Sequence, residues 1–246
     1  MNSITILRVR VDDETLEGAL DRVAAYVVSR RPHQIATVNV EFIMAAQRDG
    51  LFREVLNASA LNVPDSIGVT WAARRLGQPL RERVAGVDLA EAIVQQASRE
   101  RWKVYLLGAG EGVALKAAEA WTARHPGFTC VGTYSGSPRA EDEPAIVERI
   151  RAARPDILFV AFGAPAQDLW ISRNLERLSV PVCLGVGGVL DYAAGVTSRA
   201  PGWMRRAGLE WLYRLIRQPW RWRRMLALPR FAWRILRARE ARRLLR

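Results

Sequence analysis

The chain is poor in the residues that build metal centres and covalent cross-links. It has two cysteines and two histidines in 246 residues. Cys130 and Cys183 both sit in apolar, strand-like runs, FTCVG and VPVCLGV, and read as buried thiols. A disulfide framework or a thiolate cluster does not fit such positions. His33 and His125 are too few for a histidine-rich metal site. The sequence contains no Asp-x-Asp triplet, so it lacks the usual carboxylate pair for a metal-bound diphosphate. Its first residues, MNSITILRVRVDDE, lack the apolar core of a secretory signal. The longest uncharged apolar run, Val180–Leu190, falls short of the ~18 residues that a membrane-crossing helix needs. A cytosolic, soluble chain is expected, with any membrane contact made at the surface. Lysine is almost missing as well, at two residues against 35 arginines. This usage reads mainly as codon bias, though it raises the capacity of the C-terminal segment for phosphate.

What is present is an uneven charge. The formal net charge is +12. Residues 199–246 hold fifteen arginines against Glu210 and Glu240, a net of +13, which leaves residues 1–198 at −1. The protein is thus a near-neutral body with a cationic C-terminal segment, not a uniformly basic nucleic-acid binder. Five of the nine tryptophans, Trp203, Trp211, Trp220, Trp222 and Trp233, fall in that segment. Disordered tails are poor in large apolar residues, so residues 199–246 read as a helical appendage punctuated by Pro201, Pro219 and Pro229.

The body, residues 1–198, alternates strand and helix patterns. Strands are expected at 4–11, 34–40, 60–63, 103–108, 128–134, 156–162 and 181–186. Helices are expected at 15–30, 41–56, 67–76, 89–100, 113–124, 144–153 and 167–178. From residue 103 onward the strands are near-continuous apolar runs, as when helices cover both faces of a parallel sheet. The expected fold is an α/β, open, Rossmann-like, largely parallel sheet with helices on both faces, plus the C-terminal all-helical appendage.

Ligands of such sheets bind beyond the carboxyl ends of the strands. Four loops there carry polar or glycine-rich chemistry. Thr37-Val38-Asn39 ends one strand; Thr37 and Asn39 either orient a substrate hydroxyl or serve as ordinary backbone caps. Pro64-Asp65-Ser66 ends the next; Asp65 reads either as a helix N-cap or as a general base in a partly dry cleft. Gly108-Ala109-Gly110-Glu111-Gly112 opens a helix, where backbone amides can meet a phosphate; a tight turn without a ligand is the alternative. The dinucleotide fingerprint is incomplete, with Val113 in place of a glycine and Val131-Gly132-Thr133 where the acid belongs. Phe162 and Gly163 lead through Pro165 to Gln167, which either contacts a ligand or caps its own helix. Gly187 and Asp191 follow the last strand, and Asp191 either meets a ribose or base or caps a turn. Arg83 is a surface charge or a ligand contact. In the tail, Arg214, Arg217, Arg221 and Arg224 repeat at helical spacing, interrupted by Pro219; they suit phosphate or anionic headgroups with tryptophans in the headgroup layer, or a nucleic acid, or form a solvated cationic face over core tryptophans.

Taken together, these segments resemble the WecG/TagA/CpsF family of bacterial glycosyltransferases, from about Thr37 to about Arg224. The most specific stretch is Gly185–Arg224, GVGGVLDYAAGVTSRAPGWMRRAGLEWLYRLIRQPWRWRR. ATVN (36–39), VPDSIGV (63–69), RVAGVD (83–88) and LLGAGEGVA (106–114) support it. The resemblance implies inverting transfer of a sugar, N-acetylmannosamine, its uronic acid or a related hexose. The donor would be a UDP-sugar and the acceptor a polyprenyl-diphosphate-linked saccharide, at the cytoplasmic face of the bacterial inner membrane. It makes Asp65 the catalytic base with Thr37 and Asn39 beside it. Gly108, Ala109, Gly110, Phe162, Gly163, Gln167, Gly187 and Asp191 become donor contacts, and Arg83, Arg214, Arg221 and Arg224 phosphate contacts. No metal or other cofactor and no nucleic acid is expected. An anionic membrane surface is an expected partner, and exposed apolar helices also suit a homo-oligomer. Two departures stand out. Ser66 occupies a position that is usually glycine, and Ala164-Pro165-Ala166-Gln167-Asp168 replaces the usual Ser-Pro-Lys-Gln-Glu, losing the lysine. A nucleotide-dependent oxidoreductase and a membrane or nucleic-acid adaptor remain as alternatives from other classes.

Overall fold

The structure is a computed structural model describing residues 2–206, 209–217, 219 and 222–244; the side chains of 205, 206, 214, 223, 224 and 239–244 are outside the description. It opens with a hairpin, β1 (Ser3–Ile6) and β2 (Val9–Asp12), not the single strand expected over 4–11. The chain reverses at Leu7 and Arg8, both with left-handed φ of 46° and 68°. Neither residue type announces such a turn.

Six parallel strands form the main sheet: β3 (His33–Val38), β4 (Leu61–Pro64), β5 (Lys103–Gly108), β6 (Thr129–Tyr134), β7 (Ile157–Ala161) and β8 (Val182–Gly185). Their spatial order is β4-β3-β8-β7-β5-β6. Side chains alternate between two buried layers because successive Cβ atoms leave opposite faces of a strand. On one face Val104, Leu106, Phe159 and Leu184 pack with α1 (Leu16–Ser29), α5 (Gly86–Glu100) and α6 (Val113–Arg124). On the other, Tyr105, Leu107, Leu158 and Val160 pack with α7 (Glu143–Ala153) and α8 (Ala166–Leu178). The fold class expected from the sequence is therefore the one found.

A further core lies against Ala36 and Val38 of β3. It joins the hairpin, α2 (Val40–Ala46), α3 (Gly50–Ala58) and α4 (Ile67–Arg75). The single helix expected over 41–56 is broken in two, because Asp49 accepts from the Phe52 N–H at 3.0 Å and starts a new helix. After β8 come α9 (Val189–Ala193), α10 (Gly202–Arg206), α11 (Glu210–Arg217), α12 (Trp222–Met225) and α13 (Ala227–Leu244). Helix α13 lies on α2 and α4, and its Phe231 and Ile235 are buried in that core.

Candidate active site

The carboxyl ends of β3, β4, β7 and β8 surround a cleft of about 530 Å³, with α11 and the residues around α12 and α13 on its outer side. Asp65 stands on its wall directly after β4. The Asp65 N–H still donates to the Val38 carbonyl at 2.9 Å, so the sheet ladder fixes its backbone. Its carboxylate does not cap α4. That position belongs to Ser66, whose hydroxyl makes no cap bond. Instead Asp65 Oδ1 accepts the Gly86 N–H at 2.7 Å, at the first residue of α5. The bond holds the carboxylate on the cleft wall and sets it in the field of a helix N-terminus, which favours an anion. Helix α5 begins three residues before the expected start, and Asp88 lies within its first turn rather than before it.

Thr37 is buried and faces Gly86; a Cβ on that glycine would sit 3.1 Å from Thr37 Cγ2. Thr37, Gly86 and Asp65 thus form one packed corner of the cleft. Asn39 serves two ends. Its Oδ1 caps α2 by accepting from the Phe42 N–H at 3.0 Å, and the residue also lines the cleft.

Across the cleft, Gln167 rises from the first turn of α8 and is almost wholly buried. Its Oε1 accepts the Gly187 N–H at 3.0 Å, tying α8 to the loop after β8. Gly185 makes room for this. A Cβ there would stand 2.5 Å from Gln167 Nε2 and 3.0 Å from Asp168 Oδ1. Asp168 is fully buried, and burial pushes its carboxyl up to about 7. Its oxygens have no well-formed hydrogen bond among the described residues, although the nearby Gln167 side chain offsets part of the burial cost. Phe162, Gly163, Gly187 and Asp191 complete this side, and burial raises the Asp191 carboxyl as well.

Of the expected site residues, Thr37, Asn39, Asp65, Arg83, Phe162, Gly163, Gln167, Gly187 and Asp191 all line the one cleft. Gly108, Ala109 and Gly110 do not line it. They close the neighbouring strand β5, where Ala109 N–H donates to the Ala161 carbonyl at 3.1 Å. Gly108, at φ 96°, is pressed against the Ala161 backbone so closely that a Cβ would lie 2.8 Å from it. This packing gives the first glycine of the run a structural reason of its own. Arg221 lies outside the described residues, as do the side chains of Arg214 and Arg224.

The sequence reading misses Glu41, Tyr192, Glu210 and Trp211 on the cleft wall. Glu210 and Trp211 belong to the quoted run GLEWLYRL, but there Glu210 counts only as an acid offsetting tail arginines. In the structure it stands beside Arg83, with 3.8 Å between Glu210 Oε2 and Arg83 Nη1.

Comparison with known proteins decides the family. Residues 4–244 match the sequence profile described as glycosyl transferase WecG/TagA/CpsF family. The chain belongs to that family. It is 32% identical over 237 residues to an N-acetylglucosaminyldiphosphoundecaprenol N-acetyl-beta-D-mannosaminyltransferase of Bacillus subtilis (strain 168), covering 96% of this chain and 92% of the relative. A protein of the same name from Staphylococcus aureus (strain MW2) is 32% identical over 239 residues, covering 96% and 93%. One from Bacillus spizizenii (strain ATCC 23059 / NRRL B-14472 / W23) is 31% identical over 231 residues, covering 94% and 89%. The sequence resemblance is thereby confirmed over nearly the whole chain, and the cleft is that of a WecG/TagA/CpsF glycosyltransferase.

Proposed function

We propose that this glycosyltransferase moves N-acetylmannosamine or a closely related hexose, with inversion, from a UDP-sugar to a polyprenyl-diphosphate-linked saccharide. The observation that carries the reading is Asp65: a carboxylate held by the Gly86 N–H on the wall of a cleft at the carboxyl end of a parallel sheet. The names of the relatives supply the sugar and the lipid-linked acceptor class.

In this mechanism Asp65 takes the proton of the attacking acceptor hydroxyl. The hydroxyl oxygen bonds to the anomeric carbon as the bond to UDP breaks on the opposite face, and UDP leaves with the electron pair. The fixed orientation of Asp65 supplies the proximity such a displacement needs. Thr37 and Asn39 border the reacting centre. Gln167, Gly187 and Asp191 hold the donor on the far wall. Arg83, with Arg214, Arg221 and Arg224 of the C-terminal segment, would neutralise the diphosphates. Arginine fulfils that task well because its planar fork matches phosphate oxygens.

Metal independence follows from this assignment. Turnover is expected to survive excess EDTA, whereas complete loss restored by Mn²⁺ would contradict it. The direct test of the activity is a donor panel. The protein is mixed with a polyprenyl-diphosphate-N-acetylglucosamine analogue and each UDP-sugar in turn, and products are read by mass. A disaccharide product with UDP-N-acetylmannosamine is the expected result; hydrolysis without transfer, or no product with any donor, would overturn the reading.

A lipid-linked acceptor supports action at the cytoplasmic membrane surface. Among the described residues no helix is long and apolar enough to cross a membrane. Exposed Trp203, Trp222 and Trp233 with Arg217, Arg230 and Arg234 instead suit the headgroup layer of an anionic leaflet.

A further inference from the structure

Two stretches that carry the family resemblance, RVAGVD at 83–88 and the run around TSRAPGWMRRAGLEW, lie more than a hundred residues apart in sequence. The structure joins them through four charges. Arg199 grips Asp88 with both ends of its fork, at 2.5 Å from Nη1 and 2.9 Å from Nη2. Its Nε lies 3.5 Å from Glu210 Oε1. The other oxygen of Glu210 lies 3.8 Å from Arg83 Nη1. The order is therefore Asp88, Arg199, Glu210, Arg83, alternating in sign and ending at a cation on the cleft wall.

Three of these groups are largely buried, while the anchor Asp88 keeps 40% side-chain exposure. Side-chain exposure is 20% for Arg199, 18% for Glu210 and 25% for Arg83. Burial works against the charge of Arg199, but its bonds to Asp88 and its closeness to Glu210 outweigh that and hold it above its ordinary pKa. Asp88 sits in the first turn of α5, where a helix N-terminus favours an anion. That is the same helix whose first N–H holds Asp65. Base and cation are thereby referred to one rigid element.

We infer that Glu210 and Arg199 are positioning residues for Arg83: Arg199, anchored on Asp88, fixes Glu210, and Glu210 holds the Arg83 guanidinium where a substrate diphosphate arrives. The inference rests on the proposed role of Arg83 as a phosphate contact. Arg83 is a long, rotamer-rich side chain, and ordering it before the ligand comes removes part of the entropy cost of binding. The Arg83 to Glu210 contact is the longest of the series. The guanidinium therefore keeps most of its capacity for a phosphate in the closer, bidentate geometry. Charge alone would give the opposite sign: deleting a carboxylate from the cleft should tighten binding of an anion. Positioning makes the same deletion loosen it.

The test is a double-mutant cycle on full-length protein, read by UDP affinity in calorimetry and by donor KM and kcat. Glu210→Ala is expected to weaken UDP binding and raise donor KM about tenfold, with kcat changed less. In an Arg83→Ala background the same substitution is expected to cost less than about twofold, since its route of action is gone. Glu210→Gln, of the same shape without the charge, should behave as Glu210→Ala does. Thermal midpoints within about 2 °C of the parent would place the effect outside global folding. Tighter UDP binding by Glu210→Ala, or an equal loss in both backgrounds, would overturn the inference while leaving Arg83 as a phosphate contact. An Arg83→Ala protein with parental UDP affinity would overturn both.

Discussion

Asp168 has no compensating cation among the described residues, and burial pushes its carboxyl up to about 7. Its unfolded value is near 3.8, so the folded state binds the proton more tightly. The stability this contributes is fully present below about pH 4 and is lost as pH rises through about 7. Asp168→Asn keeps the shape and removes the ionisation. It is expected to match the parent's thermal midpoint at pH 4 and exceed it by several degrees at pH 8. Parallel melting curves across that range would contradict the assignment. Gly185 is the neighbouring test of space rather than charge. With Cβ 2.5 Å from Gln167 Nε2, Gly185→Ala must push the Gln167 amide off Gly187. A several-fold rise in donor KM is expected, with a stability loss of about 1–3 kcal/mol; an unchanged KM would mean Gln167 is not a donor contact. The placement of Asp65, Thr37 and Gln167 on the cleft was legible in sequence because each ends, follows or opens a recognisable element. Their partners were not. Gly86 N–H, Gly185 and Glu210 act through space and backbone, and a residue's type does not announce a contact made across the fold.

The strands β5, β7 and β8 and the helices α6, α7 and α8 fall within one or two residues of where apolar runs and helical spacing put them. These elements are covered on both sides or amphipathic, so their pattern is strong. The discrepancies are local. The β1–β2 hairpin turns on left-handed Leu7 and Arg8, which carry no turn signal. Helix α5 starts at Gly86, a poor helix former whose N–H is instead used by Asp65. At the C-terminus the elements were foreseen as helices, but their attachment was not. Helix α13 sends Phe231 and Ile235 into the core formed with α2 and α4. Phe231→Ala is therefore expected to destabilise the protein by about 3–5 kcal/mol in chemical denaturation. A loss below about 1 kcal/mol would show that α13 contributes little to that core. The same packing makes point substitution a cleaner probe of the C-terminal segment than its removal, which would strip Phe231 and Ile235 from the body.

At the scale of the molecule, the +12 charge resolves into a neutral α/β body and a segment that is both cationic and apolar on its surface. Trp203, Trp211, Ile216, Trp222, Leu226, Trp233 and Leu236 are all exposed there. Arg237 lies over the Trp233 ring at 4.0 Å, pairing a cation with an aromatic face. Replacing Trp203, Trp222 and Trp233 together by serine is expected to cut pelleting with anionic vesicles about tenfold at 0.1 M salt; undiminished pelleting would refute surface docking through these rings. The same C-terminal segment lines the cleft through Glu210, Trp211, Met225 and Leu228, so the surface that suits a membrane also borders the cleft that holds Asp65. The proposed function converges on Asp65, which links the sheet, helix α5 and the cleft. Turnover and UDP affinity of Asp65→Asn, measured side by side with the parent protein, test that role most directly. A loss of turnover of about a hundredfold or more is expected, with UDP affinity kept. Turnover within a few-fold of the parent would contradict it.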